Sequence, residues 1–287
     1  MPDSSRDIID LALAEDIGSG DTTVRWFTNA EAKASAKIVT RQDACLAGVD
    51  VAAEVFRRVD PTLEISILLQ NGHSLQAGDT VLSVSGPAGS ILTAERTALN
   101  FIQRLSGTAT IARAYVNAVA GTSVRILDTR KTTPGMRLLE KNAVAAGGAT
   151  NHRMGLYDMV MVKDNHLAVD SDASDLQASI SRARAENPGL KIEIEADTVE
   201  QALRFATLDG VDTILLDNMS LADLRTVVAS RPAGIALEAS GGVTLSTVRA
   251  IAETGVDFIS VGAMTHSAPS VDFGLDFATC PDPARSA

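Results

Sequence analysis

The stretch KIEIEADTVEQALRFATLDGVDTILLD, residues 191–217, decides the fold class. Its two ends, KIEIE (191–195) and TILLD (213–217), are short apolar segments of the kind that form buried strands. Between them residues 198–208 have helical spacing, and Gly210 follows where a helix C-cap is expected. A strand, a helix and a second strand in this order predict a parallel βαβ unit.

The same alternation of strands and helices continues on both sides of this unit. The other strands predicted here are 124–128, 158–162, 234–239 and 257–262. The other helices predicted are 174–186, 220–230 and 244–253. Ser220 and Thr244 stand where N-caps are expected. Repeated βαβ units favour either an open doubly wound sheet or a (β/α) barrel.

The first third of the chain has a mixed pattern, which predicts an α+β unit. Its predicted strands are 34–40, 63–69 and 80–85, and its predicted short helices are 7–15 and 49–59. A long helix is predicted from a cap at Thr93 to about residue 120, with Gly107 as the point where it would break.

Composition excludes several function classes. The 287 residues are 45% hydrophobic and 21% charged, which is globular and large enough for about two domains or a barrel with an appendage. A net charge of −11 and 3% aromatic residues argue against nucleic acid and anionic membranes as partners. An acidic N-terminus and the lack of a long apolar run predict neither a signal peptide nor a membrane span. Cys45 and Cys280 form no CxxC pair, which fits the cytoplasm.

Charge is unevenly distributed along the chain. Residues 104–166 hold nine basic and four acidic side chains, a balance of +5, and the rest of the chain stands at −16. The basic residues are Arg104, Arg113, Arg125, Arg130, Lys131, Arg137, Lys141, Arg153 and Lys163. A solvated helix face accounts for part of this excess, but several of these cations lie beside turns and strand ends. This placement favours a pocket for a small anion.

Polar residues follow nearly every predicted strand of the repeated part. In a (β/α) barrel these ends meet at one rim, which is where active sites lie. Loop polarity alone explains one or two of them, but not the whole set. The residues at these ends are Thr129, Arg130, Lys131, Lys163, Glu195, Asp217, Glu238, Ser240 and Gly262.

The residue types at this rim indicate two kinds of substrate group. Arginines, lysines and His152 suit a di- or polyanion, and Glu195 and Asp217 suit hydroxyls or a hydrated magnesium ion. The small residues 240–242 and 262–263 offer backbone N–H groups to a phosphate. Together they predict a phosphorylated sugar and a second, carboxylated substrate.

Three weaker signals point elsewhere. Gly18-Ser19-Gly20 begins like a dinucleotide loop but follows no strand and lacks the third glycine, so we predict a plain turn. His152 and His166 lack a metal-binding spacing, which favours hydrogen bonding. Lys163 after an apolar strand is also the pattern of a Schiff-base aldolase, the main alternative within the barrel class.

Longer stretches of the chain resemble the quinolinate phosphoribosyltransferases. The matching segments are ALAEDIGSGDTT (12–23), AERTALNFIQRLSGTAT (94–110), DTRKTTPGMRLLEKNAVAAGGATNHRMGLYDMVMVKDNH (128–166), IEIEAD (192–197), LLDNM (215–219), EASGGV (238–243) and ISVGAMTHS (259–267). Ala149, where a third glycine is usual, and Met264, where leucine is common, are small departures from the family pattern.

The resemblance implies an α/β fold with an N-terminal α/β sandwich domain and a TIM-like, partly open α/β barrel. We accordingly predict the first domain over 1–115, rejoined by 268–287, and the barrel over 116–267. It also implies a homodimer, or a higher oligomer, with shared active sites to which Arg104 contributes across the interface.

The implied reaction joins quinolinate to phosphoribosyl pyrophosphate with Mg²⁺, giving nicotinate mononucleotide, pyrophosphate and carbon dioxide. The implied catalytic residues are Lys131, Glu195 and Asp217. The implied quinolinate-binding residues are Arg104, Thr129, Arg130, His152, Arg153 and Lys163. The implied phosphoribosyl pyrophosphate-binding residues are Lys131, Glu195, Asp217, Ser240, Gly241, Gly242, Gly262, Ala263 and His266.

Magnesium is expected to be held mostly through pyrophosphate and water, with Glu195 and Asp217 as protein ligands. Two alternatives stay open from the sequence. One is a related phosphoribosyltransferase that does not decarboxylate its substrate. The other is a barrel of molybdate-linked metabolism that binds a phosphorylated ligand without catalysis.

Overall fold

The computed structural model describes residues 3–163, 166 and 176–278, with side chains from residue 8 onward. Cys280 and the first residues of the helix predicted over 174–186 lie outside the described residues. The chain divides into two compact units. The first contains residues up to Arg113, residues 133–148 and residues from Ser267 on, and the second contains 114–132 and 149–266.

This division corrects the predicted domain ranges in one segment. Residues 133–148 belong to the first unit, although the prediction placed them in the barrel range 116–267. The reason lies in the helix Arg137–Ala146, whose Leu139 and Ala143 are buried in the hydrophobic core of the first unit.

The helices of the described chain are α1 (Asp3–Ile17), α2 (Thr22–Phe27), α3 (Val49–Val59), α4 (Ala88–Ala118), α5 (Arg137–Ala146), α6 (Leu176–Glu186), α7 (Val199–Phe205), α8 (Leu221–Ser230), α9 (Val248–Ala252) and α10 (Ala263–His266). Its strands are β1 (Lys33–Thr40), β2 (Ala44–Cys45), β3 (Glu64–Ile67), β4 (Ser74–Leu75), β5 (Thr80–Pro87), β6 (Arg125–Leu127), β7 (Met159–Val162), β8 (Lys191–Ala196), β9 (Thr213–Asp217), β10 (Ala236–Ser240), β11 (Phe258–Ser260) and β12 (Phe273–Phe277). No described helix is long and apolar enough to cross a membrane.

The first unit is built on an antiparallel sheet of order β12-β1-β5-β3. Helix α3 occupies the range predicted for it and buries an apolar face that includes Val55 and Phe56. Strand β12 was not predicted, and it pairs with β1 from Ala36–Phe277 to Thr40–Phe273. A strand contributed by the far end of the chain completes this sheet.

Helix α4 differs from its prediction at its start and at Gly107. It begins at Ala88, so Thr93 lies inside the helix, and it continues without a break through Gly107. A Cβ on Gly107 would lie 2.0 Å from the carbonyl oxygen of Pro269. The glycine therefore allows the returning chain to approach the helix closely, and it does not interrupt the helix.

The second unit contains a six-stranded parallel sheet of order β6-β11-β10-β9-β8-β7. Edge strands β6 and β7 do not pair with one another in the described chain, so the sheet is open between them. Each strand lies within two residues of its predicted bounds. The predicted cap at Ser220 accepts a hydrogen bond from the N–H group of Asp223. The predicted cap at Thr244 is wrong, because α9 begins at Val248 and its N-cap residue is Thr247. The α/β fold with a partly open parallel barrel is confirmed.

Candidate active site

The carboxyl ends of the six parallel strands surround one cavity of about 360 Å³ in the second unit. Its walls come from residues of β7 to β11 and from the loop that follows β6, so the sheet curves around it. The lining residues are Thr129, Arg130, Lys131, His152, Arg153, Met161, Lys163, Glu195, Leu215, Asp217, Glu238, Ser240 and Ser260. The shared rim predicted from the strand ends is therefore a single cavity.

The alternation of side chains along a strand explains which residues of each strand line the cavity. Side chains two residues apart point to the same face. Thus Leu215 and Asp217 of β9 both line the cavity, as do Glu238 and Ser240 of β10. In the register of the sheet Asp217 pairs with Ser240, which places these polar side chains beside one another.

The cavity wall carries opposing charges. Four basic side chains, Arg130, Lys131, Arg153 and Lys163, face three carboxylates, Glu195, Asp217 and Glu238. Lys163 forms an ion pair with Glu195. A Schiff-base lysine is activated by an apolar pocket or by a neighbouring cation that favours its neutral amine. Lys163 is 40% exposed and paired with a carboxylate, which favours the charged form and argues against the aldolase alternative.

The loop after β6 is anchored on both sides. The backbone N–H of Lys131 donates to the Thr129 hydroxyl at 3.0 Å, and the Thr265 hydroxyl donates to the Lys131 carbonyl at 2.8 Å. A Cβ on Gly262 would lie 3.1 Å from Lys131 Cδ and 3.2 Å from the His266 ring. Gly262 thus lets Lys131 and His266 approach the start of α10, where small residues were predicted to receive a phosphate.

Asp217 is oriented by its neighbour. The Asn218 side-chain amide donates to Asp217 Oδ2 at 2.6 Å, and Asn218 has a left-handed backbone with φ of 52°. Gly241, with φ of 93°, lies so close that a Cβ there would be 2.2 Å from Asn218 Oδ1. The glycine after β10 therefore preserves the arrangement of the carboxylate at the end of β9.

A buried cluster forms the wall behind the cavity. His152 Nε2 lies 3.1 Å from Glu193 Oε2 and 3.3 Å from Glu238 Oε2, and the two carboxylates are 1% and 2% exposed. Burial raises the pKa of Glu193, and the nearby Glu238 raises it further against the opposing effect of His152. Burial lowers the pKa of His152, but the two carboxylates outweigh it and raise the value.

Each of these three side chains has one possible metal-ligand atom, and the three atoms lie within 4.8 Å of one another, close enough to share a metal ion. However, the backbone N–H of Arg153 donates to His152 Nδ1 at 2.7 Å. A histidine that binds a metal through Nε2 normally donates from Nδ1, and here an N–H group already faces that atom. The cluster therefore does not fit a metal ion.

Arg153 lies between the cluster and the cavity. Its guanidinium has long contacts, 3.3 Å to the Met159 carbonyl and 3.5 Å to Met161 Sδ. Burial lowers its pKa, and the positive charge of Arg130 lowers it further. Two arginines held near one another in partial burial form a site suited to a dianion.

The remaining predicted residues fall into two groups. The first group lies close to the cavity, in the chain or in space, but does not line it. Its members are Gly241, Gly242, Gly262, Ala263 and His266. Arg104 belongs to the first unit, where it donates to the buried Glu140 at 3.0 Å and to the Ala268 carbonyl at 2.7 Å. Arg104 is not among the described residues that line the cavity.

Sequence reasoning missed Glu193 and assigned no role to Glu238. A signal was available for both residues. Glu193 lies two residues before Glu195, and Glu238 two before Ser240, so strand alternation places each pair on one face. The cluster itself could not be predicted, because its third member, His152, comes from a loop.

Comparison with known proteins identifies relatives over almost the whole chain. The family model described as "Quinolinate phosphoribosyl transferase, N-terminal domain" matches residues 21–106, and the model for the C-terminal domain matches residues 108–276. A probable nicotinate-nucleotide pyrophosphorylase [carboxylating] from Bacillus subtilis is 42% identical, covering 91% of this chain and 89% of that protein. The corresponding protein of Mycobacterium leprae is 40% identical, covering 96% and 97%.

Solved structures give the same result. The nicotinate-nucleotide pyrophosphorylase from Francisella tularensis superposes with a TM-score of 0.89 at 36% identity, covering 96% of each chain. The protein from Ehrlichia chaffeensis with the same name gives 0.89 at 38% identity, covering 97% of this chain and all of that one.

Proposed function

The chain belongs to the quinolinate phosphoribosyltransferase family, and we propose that it transfers the phosphoribosyl group of phosphoribosyl pyrophosphate to quinolinate with loss of carbon dioxide. The products are nicotinate mononucleotide, pyrophosphate and carbon dioxide, and the reaction serves NAD biosynthesis. One observation carries the proposal: a single cavity at the strand ends combines four cationic side chains with the carboxylates Glu195 and Asp217.

Quinolinate is a dianion, and the basic wall of the cavity suits it. Arg130, Arg153 and Lys163 would hold its two carboxylates, with the Thr129 hydroxyl beside them. Lys163 would exchange its present partner, Glu195, for a substrate carboxylate. His152 would contribute through its contact with the backbone of Arg153.

The sugar and its phosphates would lie at the opposite part of the rim. Lys131 and His266, with the backbone of 240–242 and of Gly262 and Ala263, would receive the phosphate and pyrophosphate groups. The oxygen ligands that magnesium prefers are present in the same cavity in Glu195 and Asp217, so these residues fit a pyrophosphate-bound Mg²⁺ ion. When bound, Mg²⁺ neutralises charge on the leaving pyrophosphate.

The chemistry needs positioning more than proton transfer. The pyridine nitrogen of quinolinate is itself the nucleophile, so the protein must hold it against the ribose carbon that loses pyrophosphate. Positive charge develops on the ribose ring in this step, and Glu195 and Asp217 would stabilise it or bind the hydroxyls. After transfer, the carboxylate next to the ring nitrogen leaves as carbon dioxide, and the positive charge on that nitrogen stabilises the electron pair left on the ring carbon. A proton from water then adds to this carbon.

A homodimer with shared sites is part of the proposal. Large apolar side chains are exposed in each unit, among them Trp26 and Phe27 in the first and Leu156 and Tyr157 in the second. Such surfaces are typical of protein interfaces. Arg104 would reach the substrate of the neighbouring subunit. Light scattering combined with an activity assay tests this, since a fully active monomer contradicts it.

The buried free thiol of Cys45 supports a reducing, cytoplasmic location.

The deciding experiment is a paired assay with quinolinate and nicotinate. We expect carbon dioxide release from quinolinate only when phosphoribosyl pyrophosphate and Mg²⁺ are both present. Turnover of nicotinate without turnover of quinolinate would instead indicate a non-decarboxylating phosphoribosyltransferase. Binding of a phosphorylated ligand with no turnover of either substrate would indicate a binding protein.

A further inference from the structure

Both ring nitrogens of the buried His152 have polar neighbours. Nδ1 accepts from the backbone N–H of Arg153 at 2.7 Å. Nε2 lies 3.1 Å from a Glu193 oxygen and 3.3 Å from a Glu238 oxygen. A ring nitrogen that accepts a hydrogen bond carries no proton, so the proton of the neutral ring lies on Nε2, on the side of the two carboxylates. Among the described residues the Glu193 side chain has no hydrogen-bond partner, so it acts on this proton through its charge at 3.1 Å.

We propose that Glu193 and Glu238 are positioning residues, which hold His152 as its neutral Nε2–H tautomer so that Nδ1 fixes the backbone of Arg153 for substrate binding. The inference rests on the proposed function and deepens it. It gives a role in quinolinate recognition to two acidic residues, one of which does not line the substrate cavity.

The backbone at this position is held from two directions. His152 N–H donates to the buried Asp128 at 2.7 Å, and the next N–H donates to the His152 ring. The guanidinium of Arg153, by contrast, has only the long contacts to Met159 and Met161 among its described hydrogen bonds. The direction of the Arg153 side chain therefore depends on the position of its backbone. That position depends on the hydrogen bond to Nδ1, which only one tautomer of His152 can accept.

The competing state is an imidazolium, which the two carboxylates favour because, against the lowering effect of burial, they raise the pKa of His152 to about 10. The contact at Nδ1 opposes that state. A proton on Nδ1, however, would point at the Arg153 N–H from 2.7 Å and remove that hydrogen bond. The ring has little room to turn away, since its side chain is 7% exposed. The neutral Nε2–H tautomer has no proton on Nδ1, whereas the imidazolium has one. The protonation of Nδ1 therefore distinguishes the two states.

The first test is ¹⁵N NMR of the ligand-free protein labelled at histidine. The chain has four histidines, and His152 is assigned from the signals lost in His152→Asn. We expect an unprotonated Nδ1 and a protonated Nε2 at pH 7. Protonation of both nitrogens, or of Nδ1 alone, would overturn the proposal without reference to any substrate.

The second test measures kinetics in Glu193→Gln and Glu238→Gln. By analogy with residues that orient metal-binding histidines, we expect the quinolinate KM to rise about tenfold or more in each variant. The kcat and the KM for phosphoribosyl pyrophosphate should stay close to wild type, because the lost interaction acts on one substrate. Glu253→Gln, at an exposed ion pair of the same unit, is the control.

A third comparison uses the shape of amide side chains at position 152. The oxygen of Asn can take the place of Nδ1 and accept from the Arg153 N–H, whereas Gln mimics Nε2. We expect His152→Asn to keep a lower quinolinate KM than His152→Gln, and the reverse order would contradict the proposal. Wild-type protein with the expected tautomer but no quinolinate turnover would overturn the proposed function, and with it the substrate role of this cluster.

Discussion

Gly241→Ala is the substitution for which the structure gives the clearest quantitative expectation. Gly241 follows β10 with φ of 93°, and a Cβ there would lie 2.2 Å from Asn218 Oδ1 and 2.9 Å from Asn218 N. The Asn218 amide donates to Asp217 at 2.6 Å. The added methyl group must therefore displace the residue that orients a proposed catalytic carboxylate.

Two effects set the magnitude. A left-handed backbone costs an L-residue about 1–2 kcal/mol, and forcing a methyl group into occupied space adds about 1–3 kcal/mol. We expect Gly241→Ala to lose about 2–5 kcal/mol of unfolding free energy. Gly242→Ala is the matched control, since Gly242 also has positive φ, 58°, but a Cβ there meets nothing within 4 Å.

Urea unfolding followed by circular dichroism measures the difference between the two variants. With a urea dependence of about 1–3 kcal/mol per M, their midpoints should differ by roughly 1 M. Pyrophosphate release at varied phosphoribosyl pyrophosphate should show a larger rise of KM in Gly241→Ala than in Gly242→Ala. Coincident unfolding curves and equal KM values for the two variants would refute the reasoning.

Three further predictions concern other parts of the molecule. Arg153→Ala should raise the quinolinate KM about 10–100-fold, the effect of about 1.5–3 kcal/mol from charge-assisted hydrogen bonds, with little change for phosphoribosyl pyrophosphate; equal effects on both KM values would contradict this. Partial burial raises the pKa of Asp212, but hydrogen bonds from a backbone N–H, a lysine and an arginine leave it lowered overall. Ionised Asp212 therefore stabilises the fold above about pH 4, and this stabilisation is lost as pH falls further. The loss of unfolding free energy in Asp212→Asn, measured in urea, should therefore disappear in acid. A loss that does not change with pH would contradict this. Gly107→Ala should destabilise the first unit by about 1–3 kcal/mol because its Cβ would meet Pro269, whereas Gly189→Ala, with open space, should not, as thermal unfolding would show.

Much of the second unit followed from the sequence because its signals are local. The parallel strands lie within two residues of their predicted bounds, since apolar runs bounded by turn residues are read over a few positions. The family resemblance is confirmed by both family models. Strand ends in parallel sheets meet at one edge, which is why the following cavity residues were predicted: Thr129, Arg130, Lys131, Lys163, Glu195, Asp217, Glu238 and Ser240.

Other features depend on residues far apart in the chain. Strand β12 joins the first sheet because it pairs with β1, which lies more than 100 residues away in the chain. Helix α5 joins the first unit because its buried side chains pack into the core formed by other segments of that unit. No local pattern specifies such partners. The same applies to Gly107, which resembled a helix break but serves a close approach to Pro269.

The sequence by itself determined the fold class, the family and the chemistry of the strand ends, because periodicity and strand termini are properties of short segments. Only the tertiary structure decided how those groups are held. It brought a loop histidine, His152, to two interior carboxylates, placed Gly241 against Asn218, and paired Lys163 with Glu195. The physical reason is that hydrogen bonds and ion pairs between segments depend on distances of a few tenths of an ångström, which only the packed chain sets.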